Sequence, residues 1–160
     1  MGLNKGPFVV AQCFSVLDPY DVNAGAIPLP DPFPTETPVV VATVDVCVTQ
    51  PQKTQVSLDS MVQIAANGNV AGASSASFEV TYELFRNNVV IATIIDEMDY
   101  VPTGSFPDDG RHTNFPNFPV LDNNPSAGIN TYDLVCTNKG GSFPPIFAAS
   151  RSLKATVFTL

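Results

Sequence analysis

The sequence predicts an all-β protein, an antiparallel jelly-roll-like β-sandwich with an extended N-terminal arm. Three observations predict it. Apolar and polar side chains alternate with a period of two through most of residues 38–160. Turn signals rich in Gly, Pro and Asn separate the alternating runs. No window shows the spacing of an amphipathic helix. A chain of 160 residues suits one domain with a substantial core plus one appendage, so the organisation expected is an arm over 1–37 and a sandwich over 38–160.

In the arm, Phe8, Val10, Phe14 and Val16 share one face of an alternating run, opposite Val9, Ala11, Cys13, Ser15 and Leu17. This reads as a strand with no hairpin partner beside it in sequence. From Pro28 to Pro38 proline recurs every two to four residues. Such spacing excludes a helix and a central strand and leaves an extended spacer.

The sandwich begins with a run in which Val40, Ala42, Val44, Val46 and Val48 share a face. After the Pro51-Gln52-Lys53 turn, Val56, Leu58, Val62 and Ile64 point inward, and the two runs read as a hairpin. Phe78, Val80, Tyr82 and Leu84 then alternate with Glu79, Thr81 and Glu83. Asn87-Asn88 marks a two-residue turn, because Asn tolerates the positive φ such turns need. The apolar stretch after it reads as a strand covered on both faces. Residues 99–127 read as one long loop of the kind that carries function or lacks order. Tyr132, Leu134 and Cys136 form the inward side of the next strand, and Leu153, Ala155 and Val157 that of the last.

The formal net charge of −8 repels a polyphosphate backbone, so nucleic acid is not an expected partner. Only 14% of residues are charged, against about 25% in typical domains; a surface of this kind packs against neighbours at low desolvation cost, which favours assembly. No apolar run is long enough for a membrane-spanning helix. The first residues are not read as a signal peptide, since Gln12, Ser15 and Asp18 interrupt the apolar stretch. Cys13, Cys47 and Cys136 are odd in number and widely spaced, without a CxxC pair. They are either buried thiols or disulfide formers, Cys13 with Cys47 or Cys136 of a neighbour, or Cys47 with Cys136 within one chain.

Chemistry-bearing motifs are weak. His112, beside Asp108, Asp109 and Arg111, supplies one ligand where a zinc site needs three or four. The Asp/Asn-rich runs lack the calcium-loop spacing. Asp96, Glu97 and Asp99 resemble a carboxylate pair only by proximity in sequence. No phosphate cradle or nucleophile elbow is present. The expectation is a protein without catalytic residues, metal or cofactor, and not an enzyme.

The segments TQVSLDSMVQI, FEVTYELFRNNVVIATI, TYDLVC and RSLKATVF together resemble the spore-surface jelly-roll proteins of Gram-positive bacteria. These are the endospore-appendage fibre subunits and, more distantly, the C-terminal trimeric domains of collagen-like exosporium glycoproteins. The likeness covers residues 38–160 and is one of strand texture. It implies a subunit that polymerises by donating a Cys-bearing N-terminal connector, and Cys13 ahead of a Pro-rich spacer is similar to that plan, although the double-Cys pattern of those connectors is absent. The expected partners are therefore copies of the chain itself, and the expected place is extracellular or on a cell or spore surface. Two alternatives share the fold. One is a trimeric binding module for carbohydrate or a receptor, presenting Phe106, Phe115 and Phe118; the other is a virion coat or decoration protein.

Overall fold

A period-of-two pattern stabilises a strand only when its apolar side meets a second apolar layer. The computed structural model, which describes residues 6–67, 76–100, 111–141 and 145–159, meets this requirement with two antiparallel sheets packed as a sandwich. In chain order the strands are β1 (Phe8–Phe14), β2 (Ile27–Leu29), β3 (Val39–Val48), β4 (Thr54–Asn67), β5 (Ala76–Arg86), β6 (Val89–Tyr100), β7 (Arg111–Asn114), β8 (Asn117–Asp122), β9 (Gly128–Gly141) and β10 (Ile146–Thr159). The described residues contain no α-helix. One sheet has the order β1-β10-β4-β7, with β2 also on β10 and β8 also on β4. The other has the order β3-β9-β5-β6.

The core lies between the sheets and holds the residues the alternation picked out. Val56, Leu58, Val62 and Ile64 of β4 meet Phe78, Val80, Tyr82 and Leu84 of β5, with Tyr132, Leu134 and Cys136 of β9 and Leu153 and Ala155 of β10. The Asn87-Asn88 turn forms as expected, with φ of 51° and 66°, and joins β5 to β6 as a hairpin.

Four expectations are corrected. First, β3 and β4 are not a hairpin: β3 pairs with β9 and β4 with β10. The 3-10 turn at Pro51–Lys53 carries the chain across to the opposite sheet. Period alone could not reveal this, because an inward face looks the same from either sheet.

Second, β3 contains a bulge. Val40 pairs with Val135 and Ala42 with Leu134, leaving Val41 as the extra residue. Val41 turns inward and Val40 turns out to 53% exposure, as expected for two residues opposing one.

Third, β6 is an edge strand with Val89, Val90 and Ile95 exposed. Fourth, residues 99–127 are not one loop. Strands β7 and β8 lie within them and pair with β4. Their shortness and their prolines, Pro116 and Pro119, hid them, because Pro is tolerated at a sheet edge.

Two polar clusters tie the sheets together. Arg86 of β5 donates through Nη1 to Asp122 Oδ1 and Oδ2 of β8 at 3.0 and 2.9 Å, and to the Asn124 carbonyl at 2.7 Å. The Tyr132 hydroxyl donates to Asp122 Oδ2 at 2.8 Å. Elsewhere, Asn114 of β7 donates to Asp96 Oδ2 of β6 at 2.6 Å.

Candidate assembly interface

Strand β10 is flanked by β4 on one side and by two separate pieces of the N-terminal segment on the other. Strand β1 pairs antiparallel over seven positions, from Phe8↔Val157 to Phe14↔Arg151. Strand β2 pairs over three, from Ile27↔Ala148 to Leu29↔Ile146. The leading strand, which has no hairpin partner beside it in sequence, finds one within its own fold. Its partner is the last strand, more than a hundred residues away, and no local turn signal could announce that pairing.

Between the two pieces, β10 bulges. Ala148 pairs with Ile64 and Arg151 with Val62, so Ala149 and Ser150 face a single β4 residue. The bulge is where the arm is gripped. Ser150 Oγ accepts from the Val16 amide at 3.0 Å. Val16 and Ala26 pack with Ala65, Phe147 and Ala149 in a small second core.

Arg151 is 8% exposed and bonds three carbonyls from three segments. Nε donates to Val41, at the β3 bulge, at 2.7 Å, and Nη1 donates to Ala149 at 2.9 Å and to Gly25 at 3.3 Å. Gly25 ends the 3-10 turn Val22–Ala24 at φ 101°, a conformation that glycine adopts without strain. The ring of Phe14 lies over the guanidinium, 4.2 Å from its centroid, in cation–π geometry. Burial pulls the Arg151 pKa down, and the nearby Cys136 thiol opposes that shift. Strand β1 also reaches the other sheet: Gln12 Oε1 accepts from the Thr43 amide at 2.8 Å.

The four arm residues singled out from the sequence fare differently. Val16 is buried and Val10 packs against the main core. Phe8 and Phe14 remain 63% and 39% exposed, and Val9 on the opposite side is 52% exposed. Leu29 of β2 is buried in the main core. Arg151, the residue that organises the site, was missed. The one available signal was a lone Arg in the otherwise small and apolar IFAASRSL.

All three cysteines are free. Cys13 and Cys47 are exposed, and Cys136 is buried in the main core, where burial pushes its thiol well above the usual range. An intrachain Cys47–Cys136 bridge is ruled out by register: Cys47 lies opposite Ile129, while Cys136 lies seven residues further along β9. At about 3.3 Å per residue that is roughly 23 Å, and a disulfide needs Cα atoms within about 7 Å. Reaching Cys136 from a neighbour would require opening the core.

The remaining candidates do not converge. Among the described residues no group of three or more His, Cys, Asp or Glu is placed to hold a metal. Asp96 is half-buried and engaged by Asn114, while Glu97 and Asp99 are exposed on the opposite side of β6. Phe118 is buried and Phe115 is exposed. Phe106, Asp108 and Asp109 lie outside the described residues; Arg111 and His112 begin β7. Glu36 and Lys139 form an exposed ion pair beside the spacer. Comparison with protein-family models and with curated proteins finds no match to this chain.

Proposed function

We propose that the chain is a structural subunit that polymerises with copies of itself by donating its N-terminal segment. Residues 6–29 of one copy fill the slot along β10 of the next. Its function is mechanical, without turnover, in a filament of extracellular or spore-surface type. One observation carries this reading: the segment of residues 6–29 attaches to the body as a separate piece. It runs along a single edge of β10 and is joined to β3 through Pro30–Pro38. Every contact it makes is with groups that each copy presents identically. A proline-rich joint of nine residues spans up to about 28 Å at 3.1 Å per residue, enough to redirect the segment to a neighbour. Exchange then replaces each contact with its equivalent, the condition under which domain swapping costs little.

The strand order supports reading the sandwich as a jelly roll. β1/β2, β10, β4 and β7/β8 face β3, β9, β5 and β6, and each connection other than the β5–β6 hairpin crosses between sheets, apart from those within the β1/β2 and β7/β8 pairs. The likeness to appendage fibre subunits accords with assembly.

The test is deletion of residues 1–20, followed by electron microscopy and light scattering beside the full chain. The full chain is expected to form polymers and the truncated one to lose them; truncated protein polymerising as the full chain does would overturn the reading.

A further inference from the structure

A sandwich has four exposed edges, and natural sheets blunt such edges with bulges, prolines, charges or shortness to prevent pairing with another chain. Three of the four edges here carry these devices. On β6, Ala92 pairs with Leu84 and Val90 with Phe85, so Ile91 bulges, and Asp96, Glu97 and Asp99 charge its second half. The edge formed by β7 and β8 is broken into strands of four and six residues with Pro116 between them and Pro119 within β8. On β3 the bulge at Val41 interrupts the edge, and Gln12 already occupies the Thr43 amide.

The fourth edge is formed by β1 and by β2, which is three residues long with Pro28 within it; β1 itself is the exception. Over Phe8–Phe14 it has no charge, no proline and no break in register against β10. Among the described residues it ends its sheet, and it exposes Phe8, Val9 and Phe14.

We propose that the open edge of β1 pairs antiparallel with β1 of a second copy about a two-fold axis at Ala11. The sequence FVVAQCF is close to self-complementary about that residue. Phe8 lies opposite Phe14 of the second copy, Val9 opposite Cys13, and Val10 opposite Gln12. Aromatic pairs directly across strands are among the favourable ones. This register uses all seven residues and leaves Pro7, which lacks an N–H, outside the ladder. A slip of two residues in either direction loses two pairs, and a slip of one turns the apolar sides away from each other. An isologous contact of this kind closes on itself. It is independent of strand donation, because the outer edge of β1 stays open whichever copy's β10 holds the inner one.

The test uses Ala11, which is exposed and sits opposite Lys154 of β10. Ala11→Glu faces Lys154, which is already paired with Asp59 of β4 at 2.8 Å, so the seat on β10 meets no like charge directly opposite. The substitution nevertheless places two carboxylates opposite each other at the two-fold axis. Ala11→Lys places two ammonium groups there. Sedimentation equilibrium of the full chain, each variant alone and an equimolar mixture is the measurement, with circular dichroism confirming that each variant is folded. Each variant alone is expected to associate about fivefold more weakly than the unaltered chain, and the mixture to regain association by about tenfold over either, on the scale of cross-strand charge pairs. Ala11→Glu associating as strongly as the unaltered chain, or a mixture no stronger than the variants alone, would overturn the edge pairing. Strand donation is not put at stake by that result, because Ala11→Glu leaves it intact.

Discussion

Arg151 places a guanidinium where water scarcely reaches it, and its partners explain how. The three carbonyls it bonds, of Val41, Ala149 and Gly25, lie at two bulges and one turn, where ladder pairing is interrupted. A planar fork with several donors can serve all three at once; an ammonium on a single point cannot. Arg151→Met leaves these acceptors without their donor and removes the cation held by Phe14. It is expected to cost about 2–4 kcal/mol in urea unfolding, since each buried group left unpaired costs about 1–3 kcal/mol. Arg151→Lys should recover only part of the loss.

Burial acts similarly on the acids of the core. It raises the Tyr82, Tyr132 and Cys136 pKa values above their usual ranges, with Asp96 and Asp122 adding to the rise for Tyr82 and Tyr132 respectively. The unfolded chain releases these protons at about pH 8.5 for Cys and about pH 10 for Tyr, while the folded chain retains them. Above those values the unfolded state therefore binds fewer protons, and stability falls as pH rises. The urea midpoint is expected to be level near pH 7 and to drop steadily from about pH 9 to pH 11. A midpoint that is flat or rising over that interval would contradict the burial of these three groups.

At the scale of elements, the β5–β6 hairpin shows local chemistry determining structure. Asn87 and Asn88 both adopt positive φ, and the Asn87 side chain and backbone are tied to Thr131 of β9. Asn88→Val forces a β-branched side chain into the left-handed region, at a cost of about 1–2 kcal/mol. The expected result is a lower urea midpoint with unchanged denaturant dependence, while Asn88→Gly should stay near the original stability.

Turns of this kind were readable from the sequence, as were the inward faces of β4, β5, β9 and β10, because both depend on neighbouring residues. What escaped depended on distant ones. The partner of β1 lies at the other end of the chain. The separation of β3 from β4 turns on which sheet receives the chain after Pro51–Lys53. The grip of Arg151 on the arm requires two bulges in different sheets to meet. Val41 sits in an alternating run and Ile91 and Ser150 in mostly apolar ones, and a bulge leaves no mark in a pattern of apolar and polar letters. The arm was visible as an unusual segment, and its Pro-rich joint was visible too, but its seat was not.

Across the whole molecule, the sandwich leaves β10 bounded by β4 on one side and by the N-terminal segment on the other. Two polar clusters, Arg86–Asp122–Tyr132 and Asp96–Asn114, hold the sheets together without that segment. These clusters brace the body with groups outside the arm, while the arm adds Leu29 to the main core and is anchored at positions every copy offers. Donation to a neighbour changes which copy supplies residues 6–29 and leaves the fold of each body as it is. The proposed polymer requires that the body keep its fold while residues 6–29 pass between copies.

The register of β1 on β10 supplies a direct test, because Cys13 lies opposite Ser152. Residues directly opposite in an antiparallel pair have Cα atoms about 4.5–5.5 Å apart, within disulfide reach. Ser152→Cys combined with Cys47→Ser leaves Cys13 and the introduced thiol as the two accessible sulfurs, and mild oxidation with diamide under assembly conditions traps the strand wherever it lies. Under denaturing, non-reducing electrophoresis, donation between copies gives a ladder of covalent multimers that collapses to one band on reduction. A single monomer-sized band in which Cys13 is bridged to the introduced thiol of its own chain, with no ladder at any protein concentration, would contradict it.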